Sequence, residues 1–298
     1  MKSYQKIHAL GKKEVEGILS GHVNVEEKID GSQFRIEIDN GNVNCGSHHL
    51  ELDMVDSLFK LGTEQAKKVF GGTVGSDVIT VFAEYLSKPK MNQIPYERVP
   101  RNNFIIFDVI IGEKILDREE KERFAFQYNC EVTPLLWRGD GSEFTEEVQE
   151  KLLKTKSILG HQAGFDRVEG IVIKNYSKVF NVVPEHSLYG HFMSAKIVND
   201  SFKETKKIKS PRGSEVEELK ESLRSIPRWE KAVQNLTEIG ELKGDMGDIG
   251  LVIRRVMTDI KEEESETIKE QLYKIFIKEI LQHSTSGLVT WYQTEKLK

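Results

Sequence analysis

The spacing of apolar residues changes near residue 213, and this change limits the fold more than any other feature of the chain. Before about residue 200, runs rich in β-branched and aromatic residues predict strands at 33–46, 78–86, 104–111, 168–175 and 192–198. Helical spacing between these runs predicts helices at 55–70 and 145–160. After residue 213 the apolar residues recur at helical spacing. The sequence therefore predicts an α+β part with a largely antiparallel sheet, followed by an all-α part.

Residues 33–46 have the pattern of a β-hairpin. Phe34, Ile36 and Ile38 alternate with polar residues, which is the period of a half-buried strand. Asn40 and Gly41 then form a dipeptide that tolerates the positive φ angles of a two-residue turn. We expect two paired strands here.

Pro211 and Gly213 mark a junction between two domains. We predict a first domain at 1–205, a basic linker at 206–213 and a helical domain at 214–298. The segment 202–213 contains five basic residues and one acidic residue. It is either a solvated linker or a segment that contacts phosphates, and the sequence leaves both interpretations open.

Composition limits the environment and the partners. The 298 residues are 38% hydrophobic and 31% charged, with a net charge of −5 that argues weakly against binding nucleic acid. Residues 214–298 hold 17 acidic and 13 basic residues, so the rest of the chain is close to neutral. Cys45 and Cys130 do not form a CxxC pair, which favours a reducing compartment over a disulfide framework. Without a signal peptide or an apolar run of about 20 residues, we expect a cytoplasmic protein that does not enter membranes.

The string EEKIDGSQF at 26–34 is the most informative for chemistry. Lys28 is followed by one spacer and then by Asp30 and Gly31, immediately before the predicted hairpin. Such a string is also compatible with an ordinary turn that carries a solvated lysine. A lysine amine attacks phosphorus only when it is neutral, and nearby cations or a metal ion can lower its pKa from about 10.4.

Further polar residues follow in a recognisable order. Glu84 lies on a predicted strand, Phe107 precedes an acid at Asp108, and one strand carries both Glu169 and Lys174. Lys196 follows on the last predicted strand. Because Glu169 and Lys174 are five positions apart, a regular strand would direct them to opposite faces. They can share a site only if that strand bends or bulges.

Together these strings resemble the ordered motifs of the covalent nucleotidyltransferase superfamily, and within it the RNA ligase 2 family. The segment 133–140, TPLLWRGD, is similar to a family segment after the third motif, and 239–263 resembles the family's helical C-terminal domain. The resemblance implies an ATP-grasp-like adenylyltransferase domain with antiparallel sheets at 1–205 and a small all-α domain at 214–298. The helical pattern after 213 argues against the OB-fold domain of DNA ligases and capping enzymes.

The resemblance also implies roles for individual residues. Lys28 would be the nucleophile that holds AMP, with Lys174 and Lys196 neutralising phosphate charge. The residues that would bind ATP are Glu27, Ile29, Asp30, Gln33, His48, Glu84, Phe107 and Glu169. Within this set Glu27 would lie by the adenine, Glu84 would bind the ribose and Phe107 would stack on the base. Glu169 would also hold Mg²⁺ or its waters.

Several of these residues have a simpler interpretation. Phe107 is also compatible with plain sheet core, and Asp108 with a structural ion pair. His48 and His49 are better explained as surface residues than as a metal pair, because adjacent residues on a strand face opposite ways.

Two positions depart from the family pattern. His48 stands where family members have an arginine, and Val198 where they have a second lysine. Other lysines, such as Lys203 or Lys206, could compensate for the second change.

The resemblance implies an ATP- and Mg²⁺-dependent RNA ligase that acts as a monomer. It would join 3′-hydroxyl and 5′-phosphate ends at nicks in duplex RNA, through lysyl-AMP and RNA-adenylate intermediates. Three alternatives stay open: a ligase for DNA or DNA–RNA hybrids, a weakened nucleotide- or RNA-binding homologue, and a guanylyltransferase. The weakened homologue is motivated by His48 and Val198, and the guanylyltransferase would normally need an OB-fold domain.

Overall fold

The computed structural model describes residues 1–47, 58–180, 190–199, 202 and 215–296. These residues form two compact units. The first contains Met1–Phe202 together with Thr237–Glu241, and the second contains the other described residues of the C-terminal part. The predicted linker at 206–213 lies outside the described residues.

Two sheets build the described part of the first unit. One has the strand order β1 (His8–Ala9), β11 (Phe192–Val198), β10 (Gly170–Val179), β2 (His22–Lys28) and β9 (Leu135–Asp140). The other has the order β4 (Asn42–Ser47), β3 (Ser32–Asp39), β5 (Ile79–Tyr85), β6 (Phe104–Ile111) and β7 (Lys114–Ile115), with β8 (Glu131–Val132) paired beside β6. Neighbouring strands are antiparallel except for β1 with β11 and β6 with β8.

Each sheet buries one face under helices of the same unit. On the second sheet, alternate residues such as Phe34 and Ile36 form a core with Ala66 and Phe70 of α1 (Lys60–Phe70) and with Phe124 of α2 (Arg118–Gln127). On the first sheet, Val23, Val25, Ile171 and Ile173 form a second core, which includes Leu152 of α3 (Glu146–Leu153). The period of two therefore leaves the other face of each sheet for polar residues.

The two remaining faces meet across a polar layer. The ammonium of Lys174 on β10 lies 2.8 Å from Oδ1 of Asp108 on β6, which joins the two sheets directly. Lys174 also lies 3.2 Å from a carboxylate oxygen of Glu26 on β2. Charged side chains between two sheets are expensive to bury unless they are paired, and here they are paired.

The hairpin prediction is confirmed. β3 and β4 pair antiparallel, and the turn residues Asn40 and Gly41 have φ angles of 46° and 85°. The predicted strands at 78–86, 104–111, 168–175 and 192–198 correspond to β5, β6, β10 and β11. Of the predicted helix at 55–70, residues 55–57 lie outside the described residues, and α1 forms the rest from Lys60.

The predicted helix at 145–160 is wrong in its second half. α3 ends at Leu153, and residues 154–160 instead form turns whose backbone groups bond to other segments. The backbone N–H groups of Glu97 and Arg98 both donate to the carbonyl of Leu159, at 3.2 Å each. Tertiary hydrogen bonds thus override the local helical pattern.

The second unit is helical in its described residues. It holds α4 (Glu215–Leu223), most of α5 (Ile226–Glu238), α6 (Ile249–Ser284) and α7 (Leu288–Glu295). The buried guanidinium of Arg228 on α5 pairs with Asp259 and Glu264 of α6, with the Glu264 contact at 2.8 Å. None of the described helices is long and apolar enough to cross a lipid bilayer.

Candidate active site

Lys28 is the last residue of β2 and lies opposite Gly170, the first residue of β10. Its ammonium donates to both carboxylate oxygens of Glu169, at 2.6 and 2.7 Å. Glu169 directly precedes β10, so the alternation of side chains along that strand does not determine which way the Glu169 side chain points. The odd spacing between Glu169 and Lys174 is therefore no obstacle to the contact between Glu169 and Lys28.

Two glycines permit this arrangement because the backbone comes too close for a side chain. A Cβ on Gly170 would lie 2.4 Å from the carbonyl oxygen of Ile197 on the neighbouring strand. A Cβ on Gly31 would lie 2.6 Å from the carbonyl oxygen of Tyr85 and 2.8 Å from Cγ of Glu84. Contacts below 3.0 Å require the backbone to shift, so both positions favour glycine.

Glu84 supplies a second carboxylate on the facing sheet. It lies on β5 opposite Gln33 of β3, and its Oε1 accepts a hydrogen bond of 3.2 Å from the N–H of Gly31. Burial raises the pKa of Glu84 to about 8, and the nearby carboxylate of Glu169 contributes in the same direction, although Lys28 opposes both.

The charges around Lys28 favour its protonated form. Burial alone would lower the pKa of Lys28, but the carboxylates of Glu169 and Glu84 raise it more, and the net shift is upward. Burial raises the pKa of Glu169 to about 7, while the ammonium groups of Lys28 and Lys196 act in the opposite direction. The site thus holds an ammonium ion between two carboxyl groups that release their protons near neutral pH.

Asp30 fixes the turn after Lys28. Its Oδ2 accepts hydrogen bonds from the backbone N–H groups of Gln93 and Ile94, both at 2.8 Å, and its own N–H donates to the hydroxyl of Tyr96 at 2.7 Å. The side chain of Ile29 is buried with Tyr96 in a small apolar cluster. These contacts hold the turn to the segment at 92–96, and the expected roles of Asp30 and Ile29 at a nucleotide stay predictions.

Glu27 lies on the opposite face of β2 from Lys28 by strand alternation. Its Oε2 accepts a hydrogen bond of 3.2 Å from the N–H of Ile158. Burial raises the pKa of Glu27 to about 7, and hydrogen bonds from Ser157 and Ile158 only partly offset this effect.

Phe107 lies at an irregularity of β6. Phe82 pairs with Asp108 and Ala83 pairs with Ile106, so Phe107 is an extra residue on its strand. Its half-buried ring contacts the rings of Tyr4 and Phe82, with centroids 4.9 and 6.4 Å away. It packs beside a small cluster and not within the main core of its sheet.

A buried charged cluster lies next to Phe107. We use the name Glu26 cluster for Glu26, Asp108, Arg118, Lys121 and Lys174. Each member is buried, and Glu26 lies within 3.2 Å of a nitrogen of each of the three basic residues. These three basic neighbours hold the pKa of Glu26 well below its ordinary value despite its burial.

Lys174 belongs to this cluster and does not contact Lys28 directly. It pairs with Asn24 on β2, four positions along the strand from Lys28, or roughly 13 Å at the rise of a strand. The expected ion pair of Asp108 is present, since its Oδ1 accepts from Lys174 at 2.8 Å. A role for Lys174 in neutralising phosphate charge stays a prediction.

Lys196 and Val198 lie on the same sheet face as Lys28. Val198 is the direct partner of Gly170, and Gly170 is the direct partner of Lys28, so the three positions form one row across the sheet. Lys196 lies in the next row, opposite Val172. His48, Lys203 and Lys206 lie outside the described residues.

The donor set around Lys28 fits a Mg²⁺ ion bound together with a polyphosphate. Mg²⁺ commonly takes one or two protein carboxylates and completes its shell with phosphate oxygens and water. Glu169 and Glu84 provide carboxylates whose raised pKa values show that a nearby positive charge would be favourable. No cluster of three or more His, Cys, Asp or Glu side chains suited to a metal occurs among the described residues, so a fully protein-held ion is not indicated there.

Some residues of the site were not singled out from the sequence. Glu26 lies in the alternating run that follows His22, where Val23 and Val25 predict a strand that leaves Glu26 on the other face. Lys121 lies on a helix that begins at a capping box on Asp117, which predicts the helix but not a buried lysine. Tyr96 had no signal in the sequence that we can identify.

Comparison with known proteins bears on the family and the fold of the chain. The family model described as RNA ligase matches residues 21–193. Two solved structures of Naegleria gruberi RNA ligase variants, one apo and one with ATP and Mn, are each 16% identical over 67% of this chain with a TM-score of 0.50. The chain covers only 56% and 57% of the length of those two proteins. No curated protein matches it significantly. The structural likeness confirms the expected α+β fold with antiparallel sheets.

Proposed function

The chain belongs to the RNA ligase family, and from this premise we propose that it is an ATP-dependent RNA ligase whose Lys28 becomes covalently linked to AMP. The substrates are ATP and RNA ends that carry a 3′-hydroxyl and a 5′-phosphate. We further propose that these ends meet at a nick in duplex RNA, because an A-form duplex is recognised by its shape, phosphates and 2′-hydroxyls. The helical second unit is proposed to contact that duplex.

The contact between Lys28 and Glu169 is the observation that carries the proposal. A lysine that is about one quarter exposed is held by both oxygens of a carboxylate that is 14% exposed, at the edge of the space between two sheets. An ordinary surface lysine has no comparable bidentate partner. The same carboxylate is the group proposed to hold the metal ion, so one contact links the nucleophile to the metal site.

The first step requires a change in protonation at Lys28. The resting ammonium, whose pKa the two nearby carboxylates raise, must lose its proton before Nζ can attack phosphorus. Glu169 has a pKa of about 7 and lies 2.6 Å from that ammonium, so among the described residues it is the nearest acceptor for the proton as long as no metal ion occupies its carboxylate. Nζ then forms a bond to the α-phosphorus of ATP, and pyrophosphate leaves with the electron pair of the broken P–O bond.

A divalent cation on Glu169, when bound, supplies positive charge that opposes protonation of Lys28 and neutralises phosphate oxygens. Lys196 lies close enough to lower the pKa of Glu169, and it is proposed to face the same phosphates. Glu84 is proposed to accept a hydrogen bond from the ribose, and Glu27 and Gln33 to contact the nucleotide. Phe107 is proposed to stack on the adenine.

Two further displacements complete the proposed reaction. An oxygen of the RNA 5′-phosphate attacks the α-phosphorus, the Nζ–P bond breaks, and Lys28 recovers a proton. The RNA 3′-hydroxyl oxygen then attacks the 5′-phosphorus, its proton is released, and AMP leaves with the bonding electron pair. The phosphodiester bond is thereby formed.

Labelling the protein tests the first step. Purified protein is incubated with Mg²⁺ and ATP labelled at the α-phosphate, beside a Lys28→Ala variant and a Lys114→Ala control at an exposed lysine. We expect a labelled protein band with the wild type and the control, its loss on adding pyrophosphate, and no band with Lys28→Ala. Absence of label from a wild-type protein whose Lys28 is shown by mass spectrometry to be unmodified would refute the proposal.

The choice of polymer needs a separate comparison. Nicked duplexes of identical sequence are prepared as all-RNA, all-DNA and hybrid molecules and sealed by the same enzyme preparation. Sealing of the RNA nick at least tenfold faster than the others supports the proposed substrate. Faster sealing of DNA or of the hybrid would identify a different nick ligase, and labelling without any sealing would favour a weakened homologue.

A further inference from the structure

The bulge at Phe107 leaves its backbone carbonyl outside the regular ladder. In a β-bulge the extra residue is not paired with the neighbouring strand, and here that residue is Phe107. A buried carbonyl without a partner destabilises a protein by about 1–3 kcal/mol. The bulge therefore requires donors from outside its sheet, and their position determines where the Phe107 backbone lies.

Two lysine side chains supply these donors. Nζ of Lys121 lies 2.7 Å from the Phe107 oxygen, and Nζ of Lys174 lies 2.6 Å from it. Lys121 comes from α2 on the second sheet, and its side chain is fully buried. An ammonium group makes charge-assisted hydrogen bonds, which are stronger than neutral ones.

Glu26 connects this carbonyl to the strand that carries Lys28. Its two carboxylate oxygens accept from Lys121 at 2.8 and 3.0 Å, and Oε2 also accepts from the hydroxyl of Thr133 at 2.7 Å. Glu26 and Lys28 are two positions apart on β2, so they lie on the same face of the first sheet. A continuous chain of contacts therefore runs from β2 through Glu26 and Lys121 to the Phe107 backbone.

We propose that the ion pair of Glu26 and Lys121 is a positioning device that fixes the ring of Phe107 relative to Lys28. Both residues act through Phe107 and touch neither substrate nor reacting atoms. This inference rests on the proposed function, because the ring position matters only if a nucleotide base stacks on it. Its consequence is specific: loss of the pair weakens contacts to the base and leaves contacts to the phosphates unchanged.

Binding of two ligands separates this role from a merely structural one. The first ligand is α,β-methylene-ATP, which has a base but no cleavable α–β bridge, and the second is tripolyphosphate, which has no base. For Lys121→Met we expect titration calorimetry with Mg²⁺ to give a Kd for α,β-methylene-ATP raised about 3- to 10-fold. This increase equals ~0.6–1.4 kcal/mol, which lies within the range of an aromatic contact. The Kd for tripolyphosphate should change less than twofold.

Lys114→Met is the matched control. Lys114 is an exposed lysine on β7 that pairs with Glu120 of α2, so its removal takes away the same charge beside the same helix without reaching Phe107. Neither Kd should change more than twofold in this variant. Equal weakening of both ligands by Lys121→Met, or weakening of neither, would overturn the proposal.

A double-mutant cycle tests whether Lys121 acts through the ring. Phe107→Leu removes the aromatic platform, and Lys121→Met added to it should cause no further loss of α,β-methylene-ATP affinity. Independent, additive losses would instead show that Lys121 acts elsewhere and would overturn the proposal. If Lys121→Met does not fold, Lys121→Gln, whose amide can still donate to one of the two partners, replaces it in the same cycle.

Labelling of Lys28 and binding of the two ligands distinguish an error in the positioning role from an error in the proposed function. If the chain is not an ATP-dependent ligase, Lys28 of the wild type will not be labelled, whether or not the protein binds α,β-methylene-ATP. If only the positioning role is wrong, the wild type binds and is labelled, and the Lys121 variants do not discriminate between the two ligands.

Discussion

At the scale of single residues, the site contains three carboxyl groups whose pKa values burial raises to near-neutral pH. Glu27, Glu84 and Glu169 have pKa values raised to about 7 to 8, each mainly through burial. Ionising such a group in the folded protein is unfavourable, so these residues lower stability at the pH where the site would work. A metal ion and a nucleotide would relieve part of this unfavourable energy.

Glu27→Gln should make the free protein more stable at alkaline pH. The unfolded chain releases the Glu27 proton near pH 4.5, whereas the folded protein releases it near pH 7, so the free energy of unfolding falls as pH rises between these values. The amide removes this dependence. At pH 8 we expect the variant to be about 1–3 kcal/mol more stable than the wild type in urea unfolding, with the difference vanishing toward pH 4.5.

An exposed glutamate provides the control for Glu27. Glu150→Gln changes a residue that is 73% exposed on α3, and its stability should stay within about 0.5 kcal/mol of the wild type at both pH values. A gain for Glu27→Gln that is the same at pH 4.5 and pH 8 would show that ionisation is not its cause.

Val198→Lys should shift the pH dependence of lysine adenylylation. Position 198 lies in one row with Gly170 and Lys28, two strand spacings or roughly 10 Å from Lys28. A second ammonium there disfavours protonation of Lys28 and adds a donor for phosphate. We expect the pH of half-maximal labelling to fall by about half to one pH unit, as measured by label incorporation between pH 6 and pH 10.

Val198→Met separates charge from size in this experiment, because it lengthens the side chain without a charge. Its pH profile should coincide with that of the wild type. If the pH profile of Val198→Lys also coincides with that of the wild type, a charge at position 198 has no electrostatic effect on the pKa of Lys28.

The sequence supports the identity of many site residues but not their contacts. Lys28, Glu84, Phe107 and Glu169 could be named because each follows a short string in a fixed order. The partners of these residues come from distant segments, as with Lys28 and Glu169, which are 141 positions apart. No local sequence pattern shows which strand ends lie beside each other, so the bidentate contact between Lys28 and Glu169 could not be predicted.

At the scale of elements, strand alternation was predictable because it reflects one buried face, whereas the ends of helices depended on tertiary contacts. The helix predicted at 145–160 stops at Leu153, since the following backbone bonds to Glu27 and to the segment at 97–98. After residue 213, where the sequence predicts helices but not their ends, residues Ile249–Ser284 form one helix, α6. Ser265 is accommodated inside this helix because its hydroxyl donates to the carbonyl of Lys261, one turn back.

Gly170→Ala should disrupt the edge of the first sheet at the active site. The added Cβ would lie 2.4 Å from the carbonyl oxygen of Ile197, so β10 and β11 must separate locally. Such overpacking destabilises by about 1–3 kcal/mol. We expect a lower midpoint in urea unfolding. Because Glu169, which binds Lys28, precedes Gly170 directly and would move with it, we also expect a loss of labelling larger than the loss of folded protein.

Gly75→Ala is the control for this substitution. A Cβ at Gly75 meets no atom within 4 Å and requires no positive φ. Where the backbone accepts alanine, the change stabilises the folded protein by about 0.4–1 kcal/mol, because it reduces the conformational entropy of the unfolded chain. Normal stability and labelling in Gly170→Ala would show that the two strands can separate without affecting the site.

At the scale of the whole molecule, the candidate chemistry lies in the first unit and most of the helical part lies in the second. Glu169, which binds the Lys28 ammonium, and Glu84 and Asp30, which raise its pKa, all lie in the first unit. The second unit contains a buried ion pair of its own, in which Arg228 of α5 bonds Asp259 and Glu264 of α6. A change confined to that ion pair can therefore test whether the two units serve different steps.

Arg228→Met should impair RNA sealing while sparing lysine adenylylation. Removing one partner of a buried ion pair destabilises by about 3–5 kcal/mol, and here buried Asp259 and half-buried Glu264 both lose their arginine, although Asp259 keeps Lys231 at 3.2 Å. We expect scanning calorimetry to show a lower transition temperature for part of the heat absorption, with initial labelling of Lys28 within twofold of the wild type at 20 °C. Arg224→Met, at an arginine that is 66% exposed and pairs with Glu221, should change neither property. If Arg228→Met reduces labelling as strongly as sealing, the second unit contributes to the first step as well. If sealing is retained in a variant whose calorimetric transition has shifted, the helical unit is not required for contact with the RNA.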